Sequence, residues 1–143
     1  MQIGTKFTVA IHILLLSELL NETHKITSDF IASSVNTNPV VIRKIMGQLR
    51  SAGLIEIAAG TGGIRLLKTP REISLLDVFR AAEPLGDGTL FKIHSGAAQA
   101  CLVGANIERL LDRRLATAQA AMEACLAKTK LAELISELDS KSG

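Results

Sequence analysis

The sequence predicts a mainly α-helical fold of the α+β class, with one small β-hairpin near the middle of the chain. Three observations carry this prediction. Apolar residues recur every three or four positions in several segments, two short β-branched segments flank a glycine-rich one, and a long amphipathic segment occupies the second half. A chain of 143 residues with 48% hydrophobic and 21% charged residues has the composition of a folded globular protein.

Helix-start signals divide the first part of the chain into three helices. Thr27 is a good N-cap, and so is Asn38, which is followed by Pro39 at the first helical position, where proline is well tolerated. Gly53 ends the third helix, because glycine readily adopts the left-handed conformation found after a helix. We predict helices over residues 5–20, 27–35 and 39–52.

A β-hairpin follows the third helix. Residues 54–57 and 64–66 are rich in branched apolar side chains, and the segment between them, AAGTGG, has the glycine content of a tight hairpin tip. Pro70 stops the second strand. We therefore predict one antiparallel pair of strands.

The second half begins with a clear helix signal and continues with a long helix. Ser74 and Asp77 form a capping box for a helix that ends near Glu83. After the glycine-containing segment 85–100, we predict a long helix over residues 102–127. A short last helix carries Leu131, Leu134, Ile135 and Leu138.

This order of elements is typical of a winged helix-turn-helix, in which the third helix enters the major groove of DNA and the hairpin is the wing. We assign residues 1–84 to a winged helix-turn-helix DNA-binding domain. Residues 85–143 then supply a loop, a long dimerisation helix and a short C-terminal helix. Double-stranded DNA is the predicted partner.

The charge distribution supports that partner. The formal net charge is only +2, but residues 36–71 contain six basic residues and one acid, a local charge of +5. The chain from residue 73 onward has eight basic residues and nine acids. A basic region on a nearly neutral protein fits a DNA-binding element joined to another part.

The outward face of the third helix supplies the candidate DNA contacts. Ile42, Ile45 and Leu49 share the inward face, so Arg43 and Lys44 project away from it. Arginine and glutamine side chains make bidentate contacts to guanine and adenine edges. A solvated basic face is the plainer interpretation of such a helix. The candidate DNA-binding residues are Thr37, Asn38, Val40, Arg43, Lys44, Gln48, Gly62, Gly63 and Arg65.

Residues 38–83 resemble the Rrf-two family of bacterial winged-helix regulators, which includes the IscR, NsrR and CymR types. The resemblance is carried by the A-G-L turn at residues 52–54, the glycines of residues 60–63 where the family has a G-x-x-G-G wing tip, and the P-x-x-I-x-L-x-D-V helix start at residues 70–78. It extends over nearly the whole chain. It implies a sequence-specific DNA-binding transcriptional regulator, most simply a homodimeric repressor.

The chain departs from that family in its wing and in its cysteines. Many members have an arginine before the first wing glycine and an aromatic residue after the last, where this chain has Ala59 and Ile64. Iron–sulfur members have three closely spaced cysteines in the loop where this chain has only Cys101. A cluster needs about four strong ligands, and thiols bridged across a dimer would still be too few, so we expect no iron–sulfur cluster, no metal and no other cofactor.

Cys101 is the candidate redox sensor, because a helix N-terminus lowers the pKa of a thiol and makes it a better nucleophile. A small apolar residue at a turn is the plainer interpretation. Cys125 falls beside the apolar stripe of the long helix, where we expect packing. The loop 85–100, with Phe91 and His94, is either a small effector pocket or a linker.

The long helix predicts a homodimer, because its apolar stripe needs cover. The stripe that we assign to dimerisation consists of Ile107, Leu111, Leu115, Ala118 and Met122, and Leu126 continues it.

No catalytic set of side chains stands out, so we predict no enzyme activity. The alternative to a regulator is a protein-interaction module that has lost DNA binding, which the altered wing keeps open. No apolar run approaches the ~20 residues of a membrane span, and the apolar stretch near the start lacks a signal-peptide cleavage site. We expect a cytoplasmic protein with no membrane partner.

Overall fold

The computed structural model describes residues 4–142, with side chains through residue 140. Within that range the predicted order of elements is confirmed, and the predicted boundaries differ from the observed ones by no more than one residue. The elements are α1 (Lys6–Leu20), α2 (Ser28–Val35), α3 (Pro39–Ser51), β1 (Ile55–Ile57), β2 (Ile64–Leu66), α4 (Leu75–Ala82), α5 (Leu102–Lys128) and α6 (Leu131–Ser142).

The helix starts follow the capping residues of the sequence. The Thr27 hydroxyl accepts a hydrogen bond from the Phe30 amide at 3.2 Å. At the start of α4, the Ser74 hydroxyl accepts from the Asp77 amide at 3.1 Å while the Asp77 carboxylate accepts from the Ser74 amide at 3.0 Å. Such caps typically contribute about 1 kcal/mol each, so these short helices begin where the sequence predicts.

One apolar core joins the first four helices to the hairpin. Helix α1 packs against α2, α3, α4 and β2, and its Ala10, Ile13 and Leu14 are fully buried. The rings of Phe7 and Phe79 meet edge to face with centroids 5.4 Å apart. This core fixes the orientation of α3 relative to the hairpin.

Helix α6 returns to this core. Leu131 is fully buried in it, and α6 packs on α1. The Leu131 amide donates to the Ile73 carbonyl at 2.8 Å, and the Leu75 amide donates to the Thr129 carbonyl at 2.9 Å. The division of the chain after residue 84 stays a prediction, and the last helix lies against the first part.

Helix α5 is 27 residues long and none of its residues is buried. It packs on α4, where Arg80 and Glu123 form an ion pair at 3.4 Å. Gln119 of α5 holds the loop that precedes this helix. Its side-chain oxygen accepts from the Leu90 amide and its side-chain nitrogen donates to the Gly88 carbonyl, both at 2.8 Å. Within residues 4–142, no helix combines the length and apolar character needed to cross a membrane.

Candidate nucleic-acid interface

A tight turn sets α3 against α2. Helix α2 ends at Asn36, whose left-handed backbone (φ 63°) lets its amide donate to the Ala32 carbonyl at 2.8 Å. The Thr37 amide donates to the same carbonyl at 3.1 Å. Asn38 then starts α3, because its side-chain oxygen accepts from the Val40 amide at 2.8 Å. The turn therefore leaves the start of α3 at the protein surface.

The first turns of α3 present an apolar and a basic group to solvent. Val40 is 65% exposed, and Arg43 and Lys44 are exposed beside it. Ile42 and Ile45 on the opposite side are buried. An exposed apolar side chain next to arginine and lysine suits a DNA major groove, where thymine methyl groups, guanine edges and phosphates are close together.

Arg43 has partners on α2 that the sequence analysis did not identify. Its Nε donates to the Ser28 hydroxyl at 3.3 Å, and its guanidinium lies 3.9 Å from the Asp29 carboxylate. Both charged side chains are well exposed, so the ion pair is weak in water and leaves Arg43 available. A helix cap followed by an acid was the only sequence signal at these positions, and it predicted a local rather than a tertiary role.

Gln48 differs from the other predicted contacts. It is half-buried, and its side-chain oxygen is shielded from solvent without a hydrogen-bond partner among the described residues. It borders a groove against α4 that also contains Gly47, Ala81 and Pro84. Its role in contacting bases stays a prediction, and that role requires this oxygen to become accessible.

The wing is the β1–β2 hairpin with its tip, residues 55–66. Glu56 pairs with Arg65 across the strands, and their side chains form an ion pair. At the tip, Gly60 and Gly62 adopt positive φ of 82° and 73°. Gly63 differs from these two glycines, because its φ is not positive.

A groove of about 610 Å³ lies between the wing and the α1–α2 loop. Its walls carry both signs of charge: His24, Lys25 and Arg65 are basic, and Glu22 and Glu56 are acidic. The Ile64 amide donates to the Ile26 carbonyl at 3.0 Å and ties the two walls together. The charge count of the sequence began at residue 36, so it missed the basic residues of this loop.

Cys101 is the N-cap residue of α5 and is exposed. The backbone amides of Gly104 and Val103, at the start of α5, lower the pKa of its thiol. Gly104 is packed so closely that an added Cβ would lie 2.3 Å from the Ala98 carbonyl oxygen. The sequence prediction of a lowered thiol pKa is in line with this environment, and the loop before Cys101 is fitted tightly to the helix.

The other predictions for the second half of the chain have different outcomes. Phe91 borders a cavity of about 220 Å³ between the loop and α5, together with Leu115 and Gln119, whereas His94 is not among its lining residues. Cys125 was expected to pack and is instead exposed. Of the predicted dimerisation residues, Ala118 is exposed and the following are half-buried: Ile107, Leu111, Leu115 and Met122.

The thiols do not fit an iron–sulfur cluster. Cys101 and Cys125 stand near opposite ends of the 27-residue helix, about 36 Å apart at 1.5 Å per residue. Around neither thiol do the described residues bring together three His, Cys, Asp or Glu side chains that could hold a metal.

Comparisons with known proteins decide the family. The family model described as "Rrf2: Iron-dependent Transcriptional regulator" matches residues 3–137. The chain belongs to the Rrf2 family. The resemblance that the wing and helix motifs indicated is therefore confirmed.

Three similar proteins agree with that assignment. A Bacillus subtilis (strain 168) protein that carries the name HTH-type transcriptional regulator YwnA is 39% identical over 136 residues, which are 95% of this chain and 98% of that protein. A solved structure described as a DNA-binding protein is 38% identical, covers 91% of this chain and 98% of its own, and has a TM-score of 0.71. CymR, described as the global cysteine regulator of B. subtilis, shares the fold at 22% identity, with 95% of this chain and 97% of that chain covered and a TM-score of 0.67.

The Rrf2 chain is thus a DNA-binding transcriptional regulator with a winged helix-turn-helix and a long C-terminal helix, and it is not an enzyme. The alternative of an interaction module without DNA binding is not supported by these relatives. The individual DNA contacts stay predictions.

Proposed function

We propose that this regulator is a homodimeric repressor that leaves its operator when Cys101 is modified or a small effector binds at the loop before α5. Two α3 helices would enter successive major grooves, with the wings beside them. The long helices would set the distance between the two α3 helices.

The observation that carries the homodimer is the surface of α5. The helix is about 40 Å long at 1.5 Å per residue, and it has no buried residue. Leu102 is 81% exposed, Val103 is 61% exposed and Leu110 is 42% exposed. Monomers rarely leave such apolar surface uncovered, and a twofold copy of the same helix is the simplest cover.

The exposed face adjoins the predicted stripe rather than coinciding with it. Leu115 borders the chain's own loop, so part of the stripe is covered within one chain. Ile107 of the stripe is half-buried, and Leu110 beside the stripe is 42% exposed. We infer that the partner helix packs on Ile107, Leu110 and Leu111, with Ala118 and Met122 at its edge.

The position of Cys101 supports the proposed release of the regulator from its operator. Its thiolate is favoured by two backbone amides at the start of α5, and the loop before it is held to α5 by Gln119. An electrophile bound to this sulfur would disturb the first turn of the helix that sets the spacing of the two DNA-binding units. A ligand in the cavity of about 220 Å³ between the loop and α5 would act further along the same helix, at Leu115 and Gln119.

We infer that this signal does not pass through an iron–sulfur cluster, because Cys101 and Cys125 are at opposite ends of one helix and thiolates are the ligands such clusters need. Since chromosomal DNA is the partner, we expect the protein to act in the cytoplasm.

Selection of genomic DNA fragments on the purified protein tests the proposal. The selected sites are expected to be palindromes with half-sites about one helical turn apart, bound by two chains in analytical ultracentrifugation. Treatment with N-ethylmaleimide is expected to weaken binding of the parent and not of Cys101→Ser. Selected sites without symmetry, bound by one chain, would contradict the dimer. Equal binding before and after treatment would contradict release through Cys101.

A further inference from the structure

We propose that Lys25 is the cation with which the wing contacts a DNA phosphate, and that Gly63 positions it. This inference rests on the DNA-facing orientation proposed above for α3 and the wing. It assigns the contact to a residue outside the hairpin and gives Gly63 an indirect role.

The side chain of Lys25 lies across Gly63. A Cβ added to Gly63 would be 3.1 Å from Lys25 Cγ and 3.8 Å from Lys25 Cδ. The first distance is tighter than ordinary van der Waals contact, so any larger residue at position 63 pushes the lysine stem away. Since the φ of Gly63 is not positive, backbone conformation does not require glycine there, and the close approach of Lys25 is what a larger residue would disturb.

The backbone on both sides of this contact is fixed. Ile26 and Ile64, the neighbours of the two residues, are buried and joined by a hydrogen bond of 3.0 Å between the Ile64 amide and the Ile26 carbonyl. The Lys25 carbonyl accepts from the Thr27 amide at 3.1 Å. The backbone of Lys25 is therefore held beside the wing.

Lys25 and Arg65 differ in their ion pairing. Arg65 is ion-paired with Glu56 directly across the hairpin, so it must leave that carboxylate to bind a phosphate. Among the residues that the structure describes, Lys25 forms no ion pair. Both cations border the groove between the wing and the α1–α2 loop, and of the two only Arg65 is ion-paired with a carboxylate.

Fluorescence anisotropy with labelled 30-base-pair duplexes tests this assignment, using one duplex selected from genomic DNA and one of mixed sequence. Lys25→Met keeps the aliphatic stem and removes the charge. It is expected to lower the affinity for both duplexes by the same factor, about eightfold per phosphate contact at 0.1 M salt. The slope of log affinity against log salt concentration is expected to decrease by about 0.9 per contact. Lys25→Arg is expected to restore the affinity and the salt slope. Lys128→Met, on the last turn of α5, should change neither the affinity nor the salt slope.

Gly63→Ala tests the positioning. It is expected to weaken binding in the parent and to have little effect in the Lys25→Met background, because the displaced charge is already gone. Gly86→Ala is the matched control, since an added Cβ there meets nothing within 4 Å and no positive φ is involved. Thermal unfolding of each variant verifies that it is folded.

The outcomes separate this inference from the proposed function. If Arg43→Ala weakens binding and Lys25→Met does not, the Lys25 contact is wrong and the orientation of α3 stands. If neither variant weakens binding, the proposed DNA-facing surface is wrong as well. An equal loss for Gly63→Ala in both backgrounds would mean that Gly63 acts independently of Lys25.

Discussion

Arg43 and Lys44 are neighbours on α3 with different surroundings. Arg43 is oriented by Ser28 and Asp29, whereas Lys44 is exposed and forms no ion pair among the described residues. An oriented guanidinium suits a bidentate base contact, and a mobile ammonium suits a phosphate. The two residues therefore have separable roles.

Substitution by alanine distinguishes them. Arg43→Ala is expected to cost about 1–3 kcal/mol on the selected duplex and less on mixed sequence, because a base contact is lost. Lys44→Ala is expected to lower the affinity for both duplexes similarly and to reduce the salt slope by about 1. The two affinities are measured by titration at several salt concentrations. Variants that bind the selected duplex as tightly as the parent would refute the assignment of this face.

Cys101 gives a pH prediction of definite sign. Its pKa is lowered in the folded protein by the amides of Gly104 and Val103, so the reactive thiolate forms at lower pH than in the unfolded chain. In the Cys125→Ser variant, the rate of alkylation by iodoacetamide against pH is expected to have its midpoint lower in native buffer than in concentrated urea. Coincident midpoints, or a native midpoint above the unfolded one, would show that the helix start does not stabilise the thiolate.

The wing, as an element, depends on the backbone of its tip. Gly62 has a positive φ of 73°, a conformation that costs other residues roughly 1–2 kcal/mol. Gly62→Ala is therefore expected to lower both thermal stability and DNA affinity. Gly47→Ala, the comparison, is expected to raise thermal stability. An added Cβ there meets nothing within 4 Å, and alanine favours a helix by about 1 kcal/mol over glycine. Differential scanning calorimetry measures both, and a Gly62→Ala variant as stable as the parent would contradict the strain.

At the scale of the whole molecule, α5 is a helix that the rest of the chain leaves uncovered. Its contacts to α4 and to the loop at Gln119 occupy one side, while Leu110 on another side is 42% exposed. DNA binding by a single unit of this size would be weak. Affinity for an operator is therefore expected to depend on the second copy of the proposed homodimer.

Leu110→Asp is expected to give monomers at micromolar concentration, because a charge in the centre of a packed helix pair is costly to desolvate. These monomers should keep the helical content of the parent and lose most operator affinity. Leu67→Asp is the control, since Leu67 is 52% exposed and lies outside α5. Sedimentation equilibrium measures the mass, and a dimeric Leu110→Asp variant or a monomeric parent would overturn this interface.

The sequence by itself determined the elements and their ends, because caps, glycines and apolar spacing act within a few residues. Thr27, Asn38 and the Ser74–Asp77 box begin their helices as predicted. The separation of Ile42 from Arg43 on opposite faces of α3 also follows from local geometry.

Only the tertiary structure decided which of these residues meet. The packing of Gln48 near α4, of Lys25 on Gly63 and of Leu131 in the first core all join segments that are distant in sequence. Helical periodicity identifies an apolar or basic face, but it does not say what lies opposite. The orientation of α1 against five other elements fixes those neighbours, because a close-packed core admits few arrangements of rigid helices.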